Sequence, residues 1–256
     1  MSESNRSPWP PSPSRAVRVV QVLVFVTLAA SVIYTLTRWS GAPEVINDPT
    51  VRVRSDYELM LIQCLGGLVV MFLPSFVHRR FAIDIPGFMQ IAYFVFLYAA
   101  IYLGEVRSLY YRIPNWDTLL HFFSGAMLGA VGFQLVRILN DAKRDWLSLS
   151  HGFVAFFAFC FAVTCGAVWE IYEFSIDALF GTNMQKVITD TGEALVGHAA
   201  VGDTMTDLII DTAAAGLVAI AGYLSLRRHA PTAADDSHAG GTITGPAVDD
   251  TAQATR

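Results

Sequence analysis

The sequence predicts an all-α fold, a polytopic bundle of transmembrane helices with about six spans. Three observations predict it. The 256-residue chain is 54% hydrophobic and only 15% charged, against about 25% charged in soluble domains, and its mean hydropathy is +0.45. Six apolar runs recur, each close to the ~20 residues that a helix needs to cross hydrocarbon. The alternating pattern of a membrane β-barrel is absent, and over such lengths only helices satisfy their own backbone in lipid. With a net charge of −5, this composition excludes a disordered chain, a nucleic-acid binder and a soluble enzyme. Cys64, Cys160 and Cys165 lie in apolar runs without a C-x-x-C pair, so neither a disulfide framework nor a zinc ribbon is indicated.

Each element follows in order. Residues 1–15, with Pro8, Pro10, Pro11 and Pro13, are too poor in apolar side chains to pack and form a disordered tail. The first run, Ala16–Thr37, continues past Ala29-Ala30-Ser31, which argues for a retained span rather than a cleaved signal peptide. The next runs are Leu59–Val77, Pro86–Gly104, Thr118–Val136, Gly152–Trp169 (extending to about Ile176) and Asp207–Leu226. Residues 16–226 thus form one membrane domain, and residues 227–256, rich in Ala, Gly, Thr and Asp, form a second disordered tail.

Six spans put both termini on one side. That side carries eleven of the Lys and Arg residues and the other side six, so the termini are expected in the cytoplasm. Arg38, Arg52 and Arg54 lie near span ends on the opposite side and narrow this margin. The outer side holds fourteen acids, a face that attracts cations.

Three motifs carry the candidate chemistry. Asp117 and His121, in Trp116-Asp117-Thr118-Leu119-Leu120-His121, enter the fourth span at i, i+4. Glu170 and Glu173, with Asp177 beyond them, leave the fifth at i, i+3, i+7. Asp203, Asp207 and Asp211 enter the sixth at i, i+4, i+8. Each set forms one helical stripe, and the alternation of spans brings all three to one membrane face. At 1.5 Å per residue, Asp211 and His121 lie about 6 Å inside the hydrocarbon. Crowded carboxylates at that depth cannot all stay ionised and unpaired. Either a divalent cation neutralises them or some hold protons. Carboxylates with one imidazole suit Mg, Mn, Zn or Fe. The expected ligands are Asp117, His121, Glu170, Glu173, Asp203, Asp207 and Asp211, with Glu170 or Glu173 as an alternative general base.

Plainer roles stand beside these. Asp117 and Asp203 occupy positions where N-caps occur. Glu173 and Asp177 can face interfacial water, Trp116 and Trp169 can anchor helices at the interface, and Gln63 can line the pocket or pack between helices. His198 reads as a solvated loop residue, and Cys160 and Cys165 as core fillers. Gly125, Gly129 and Gly132, with Ala213–Gly216, make the fourth and sixth spans close neighbours.

Taken together, Asp117-x-x-x-His121, Trp169-Glu170-x-x-Glu173, Gly181-Thr182-Asn183-Met184-Gln185 and Asp203-Thr204-x-x-Asp207 resemble the YjdF-type family of bacterial inner-membrane proteins over residues of about 60 to 225. The first motif is also similar to the Asp-x-x-x-His helix start of VanZ-like proteins. The resemblance implies a multi-pass protein of the bacterial inner membrane and supplies no reaction. Three functions remain in view. The first is a metal-assisted site at the outer interface acting on a lipid or lipid-like substrate. The second is a cation- or proton-coupled transporter, which the bare midplane and the lack of a repeat disfavour. The third is a non-catalytic protein whose acidic cluster ties three helices together. Membrane lipid is the expected partner, and the sequence names no protein partner.

Overall fold

The computed structural model describes residues 14–44, 51–81, 83–141, 149–189 and 191–228, with only the backbone of 138–141. Six of its helical segments are long and apolar enough to cross a membrane. Helix α1 is Arg15–Trp39, and α2, Arg54–Val70, is followed after a break by α3, Leu73–Phe81. Helix α4, Gly87–Leu97, runs directly into a π-helix, Tyr98–Val106, and a short α5, Leu109–Arg112, follows it. Helices α6, Trp116–Asp141, and α7, His151–Phe180, precede a 3₁₀ turn at Ala199–Val201 and α8, Gly202–Arg228. The tails expected at 1–15 and 227–256 lie outside the described residues, except that Arg15, Arg227 and Arg228 are helical and Ser14 caps α1.

The helices outrun their apolar runs because caps, not hydropathy, end them. Ser14 accepts the Val17 N–H at 3.3 Å and Ser150 accepts that of Phe153 at 3.2 Å, each starting a helix. Gly181, at φ +64°, closes α7 in the left-handed conformation that glycine tolerates. Pro74 breaks the second span. It cannot donate to the carbonyl four residues back, and Tyr93 Oη donates to that Val70 oxygen instead, at 2.7 Å.

The packing is inside out for a soluble protein and right for lipid. On α1, Val22, Leu23, Val26 and Ile33 are exposed, while Ser31 and Thr35 are buried. Their hydroxyls donate to the carbonyls of Thr27 and Ser31 at 2.8 and 2.7 Å. Two three-helix groups result. Helices α1, α2 and α4 surround an apolar core that includes Leu28, Met60, Cys64 and Phe94. Helices α6, α7 and α8 pack on small residues, with Ala158, Ala162, Ala214 and Ala215 buried between them. The groups meet where α4, the π-helix and α5 touch α6.

Candidate metal centre

The site sits at the ends of α6, α7 and α8 that share one membrane face. Close approach of these helices comes from glycine. A Cβ at Gly125 would meet the Asp211 backbone at 2.8–3.0 Å, and one at Gly129 would meet Val218 at 3.1 Å, so α6 and α8 are neighbours as expected. Gly132 instead faces α7, at Ala158. A further close contact, with no signal in the sequence, is Gly166 on α7, where a Cβ would stand 2.6 Å from Asp211 Oδ2.

His121 is the hub. Its ring is buried, at 7% exposure. Nδ1 lies 3.3 Å from Asp211 Oδ2, and Ser124 Oγ donates to the other Asp211 oxygen at 3.1 Å. Nε2, on the opposite side of the ring, lies 3.8 Å from Asp117 Oδ1 and 3.7 Å from Asp207 Oδ2. Asp211 therefore orients the imidazole, while Asp117 and Asp207 share its open side. Ligands about 2.1 Å from one tetrahedral ion stand about 3.4 Å apart. The donor atoms of Asp117, His121 and Asp207 all lie within 4.8 Å of one another; the two His121 pairs, at 3.8 and 3.7 Å, are a few tenths of an ångström longer than the tetrahedral separation. A carboxylate behind a ligating histidine fixes which nitrogen points forward.

The remaining predicted residues divide. Glu170 is buried with the Thr204 hydroxyl beside its carboxylate, and among the described residues it ion-pairs with no cation. Glu173 is buried and accepts from Trp169 Nε1 at 2.8 Å. Asp203 meets Lys186 Nζ at 3.4 Å, and Lys186 also donates to Asp117. Neither Asp117 nor Asp203 makes a side-chain cap among the described residues; both face the lysine. Asp177 does not simply face water. It accepts from Thr182 Oγ1, Met184 N and Gln185 N at 2.6–2.9 Å and thereby folds the loop that delivers Lys186. His198 is exposed, Gln63 is half-buried, and Cys160 and Cys165 are only partly buried.

Lys186 adds a third way to neutralise the acids, beside a metal or protons. Burial alone lowers an ammonium pKa, but Asp117 and Asp203 outweigh it and hold Lys186 above its ordinary value. Its backbone adopts φ +48°, a conformation uncommon outside glycine. Nζ also lies 5.4 Å from the centre of the Tyr110 ring. Burial, and after it the charges of Asp117, Glu105, Glu173 and Asp207, hold the Tyr110 hydroxyl well above its ordinary value, so it remains a donor beside the cluster. The ring fits because Gly104 lacks a side chain; a Cβ there would stand 2.4 Å from it.

Glu105, buried at the end of the π-helix, was also outside the expected set. The π-helical turn closes with Arg107 N–H on Tyr102 O at 2.9 Å and Ser108 N–H on Glu105 O at 3.2 Å, and the carbonyls of Glu105 and Val106 face Arg52. Arg52 donates to both, at 2.9 and 3.1 Å, and to Ser108 Oγ. The arginine that weakened the charge count is thus turned inward.

Six spanning helices that gather buried acids and one histidine at a single end define a multi-pass integral membrane protein. Residues 16–228 match the family described as "Predicted membrane protein (DUF2238)", and the chain belongs to that family. A Thermotoga maritima protein described as "Uncharacterized protein" is 30% identical over 117 residues, 46% of this chain and 51% of that protein. The chain thus spans about half the length of that relative. No solved structure matches it.

Proposed function

We propose that this membrane protein binds a divalent cation (Mg²⁺, Mn²⁺, Zn²⁺ or Fe²⁺) through Asp117, His121 and Asp207, and uses it on a lipid or lipid-like substrate at the outer face of the bacterial inner membrane. The observation that carries this reading is the two-sided setting of His121. Asp211, braced by Ser124, takes Nδ1, and Nε2 is left toward two carboxylates. A bound cation polarises a phosphoryl or acyl oxygen, or activates water. Glu170 is the general base, because it is buried at the cluster and, among the described residues, ion-pairs with no cation. Glu173, held by Trp169, and Asp203, held by Lys186, shape the wall.

The lipid substrate follows from depth near the headgroup boundary. The outer location and cytoplasmic termini follow from the lysine and arginine distribution, the bacterial inner membrane from the likeness to YjdF-type proteins. Residues 1–15 and 227–256 are disordered tails in this account. Transport is disfavoured because Ala162 and Ala215 are buried where α6, α7 and α8 pack, beyond the acids.

One observation favours a second reading. Lys186 ties α6 to the α8 terminus through Asp117 and Asp203, as a non-catalytic clamp would. Elemental analysis of the detergent-purified chain separates the two. Near-stoichiometric metal, lost in Asp117→Asn/Asp207→Asn and kept in the opposite-end control Asp84→Asn, is the expected result. No metal after incubation with Mg²⁺, Mn²⁺, Zn²⁺ and Fe²⁺, or metal retained by the double variant, overturns the metal reading.

A further inference from the structure

The opposite membrane face carries a different feature. Pro74 breaks the second span, and Tyr93 satisfies the orphaned Val70 carbonyl, so the kink is stable in lipid. Among the described residues, α3 packs extensively on no other helix, whereas α2 lies along α1. Between α1 and the splayed α3 a cleft of about 720 Å³ opens, lined by Gln21, Phe72, Ser75, Phe76, Arg79 and Arg80. Phe72, just before α3, and Phe76 and Arg79 within it recur at i, i+4, i+7 and so line up on one side. The cleft is amphipathic along its length. Two exposed phenylalanines lie toward the membrane interior, and two guanidiniums lie at the end of α3.

Among the described residues, no ion pair joins Arg79 or Arg80 to a carboxylate. The acid nearest in sequence, Asp84, pairs with His78 at 3.1 Å. Arg80 is braced over the Phe81 ring at 5.4 Å. Uncompensated arginines beside exposed aromatics match a molecule with an anionic head and an apolar tail. Basic pockets between membrane helices bind such headgroups, and guanidinium suits phosphate because its donors form a planar fork.

We propose that the cleft between α1 and α3 is a binding site for an anionic phospholipid, with the phosphate at Arg79 and Arg80 and an acyl chain along Phe72 and Phe76. Gln21 and Ser75 supply neutral donors beside the head. The proposal is independent of the metal reading, since the two sites lie at opposite ends of the bundle.

Native mass spectrometry of the full chain tests it, with equal amounts of phosphatidylglycerol and phosphatidylcholine of identical acyl composition. The expected result is preferential retention of phosphatidylglycerol. About fivefold preference per arginine, or about thirtyfold for the pair, corresponds to the usual attraction of a basic side chain to an anionic lipid. Arg79→Gln/Arg80→Gln removes the preference, Arg79→Lys/Arg80→Lys keeps most of it, and about 1 M salt weakens it in the natural chain. Equal retention of both lipids by the natural chain overturns the proposal, and this arm decides even where the glutamine variant does not purify. So does an unchanged preference in the glutamine variant, or a dimer that excludes lipid from the cleft.

Discussion

Replacing Gly166 by alanine puts a methyl group 2.6 Å from Asp211 Oδ2 and 3.2 Å from its Cγ. Ordinary contact begins near 3.4 Å, so the carboxylate must retreat by about 0.8 Å. The α8 backbone cannot carry it away freely, because Gly125 already abuts Asp211 Cα and O. The carboxylate is held by His121 at 3.3 Å and Ser124 at 3.1 Å, and a shift of that size cannot preserve both bonds. Overpacking costs about 1–3 kcal/mol, and a lost hydrogen bond to a charged group about 1.5–3 kcal/mol. The helical preference for alanine returns about 0.5–1 kcal/mol. The net destabilisation is about 1.5–5.5 kcal/mol, a Tm lowered by about 3–20 °C. Under the metal proposal, cation affinity also falls about 10–100-fold, as for other groups that orient a ligand. Thermal unfolding in detergent and cation titration read the two effects. Gly66→Ala is the control, since nothing lies within 4 Å of a Cβ there, and it leaves Tm unchanged or slightly raised. A Gly166→Ala variant as stable as Gly66→Ala refutes the packing argument.

Other outcomes follow from the same geometry. Lys186→Met leaves Asp117 and Asp203 without their shared cation and costs about 1–3 kcal/mol, between the exposed and buried limits for ion pairs; thermal unfolding reads it, and titration with Mn²⁺ shows tighter binding once the competing ammonium is gone. Because the Lys186 ammonium is held above its ordinary value, its stabilisation is fully present below the unfolded lysine pKa and is lost only as pH rises through the higher folded value. The Tm difference between the natural chain and Lys186→Met is therefore flat from about pH 6 to 9, and a difference that shrinks across that range contradicts the assignment. Ser124→Ala removes one donor from the Asp211 carboxylate and lowers stability by about 1.5–3 kcal/mol, seen as a fall in Tm. Asp177→Ala releases the turn at Thr182–Gln185 and makes the segment 181–189 the first site of limited proteolysis.

The spans were legible because twenty apolar residues admit few structures in lipid, and His121 and Asp211 stood out in the sequence because their depth leaves little room for a surface role. What escaped notice depends on contacts far apart in sequence. Lys186 is only one of the outer-side cations in the sequence, until Asp177 folds its loop and carries the ammonium to Asp117. Arg52 reads as a misplaced topological charge, although it caps the open end of the π-helix. Gly166 lies in an apolar run like any other glycine, and only the placement of Asp211 gives it a purpose. Asp211 itself has the spacing of a ligand, and the side of the histidine ring that it occupies is a tertiary fact. Pro74 was in plain view, but its consequence required a tyrosine on another helix to rescue the broken carbonyl.

The central claim is that the His121 ring itself binds a cation. Pulsed electron paramagnetic resonance on the purified chain loaded with Mn²⁺ addresses it directly, because a directly bound imidazole nitrogen couples to the electron spin. The expected result is one tightly bound Mn²⁺ with nitrogen coupling, which disappears in His121→Gln while the protein still purifies as a folded species. Tight Mn²⁺ binding without nitrogen coupling, or coupling that survives in His121→Gln, would contradict it.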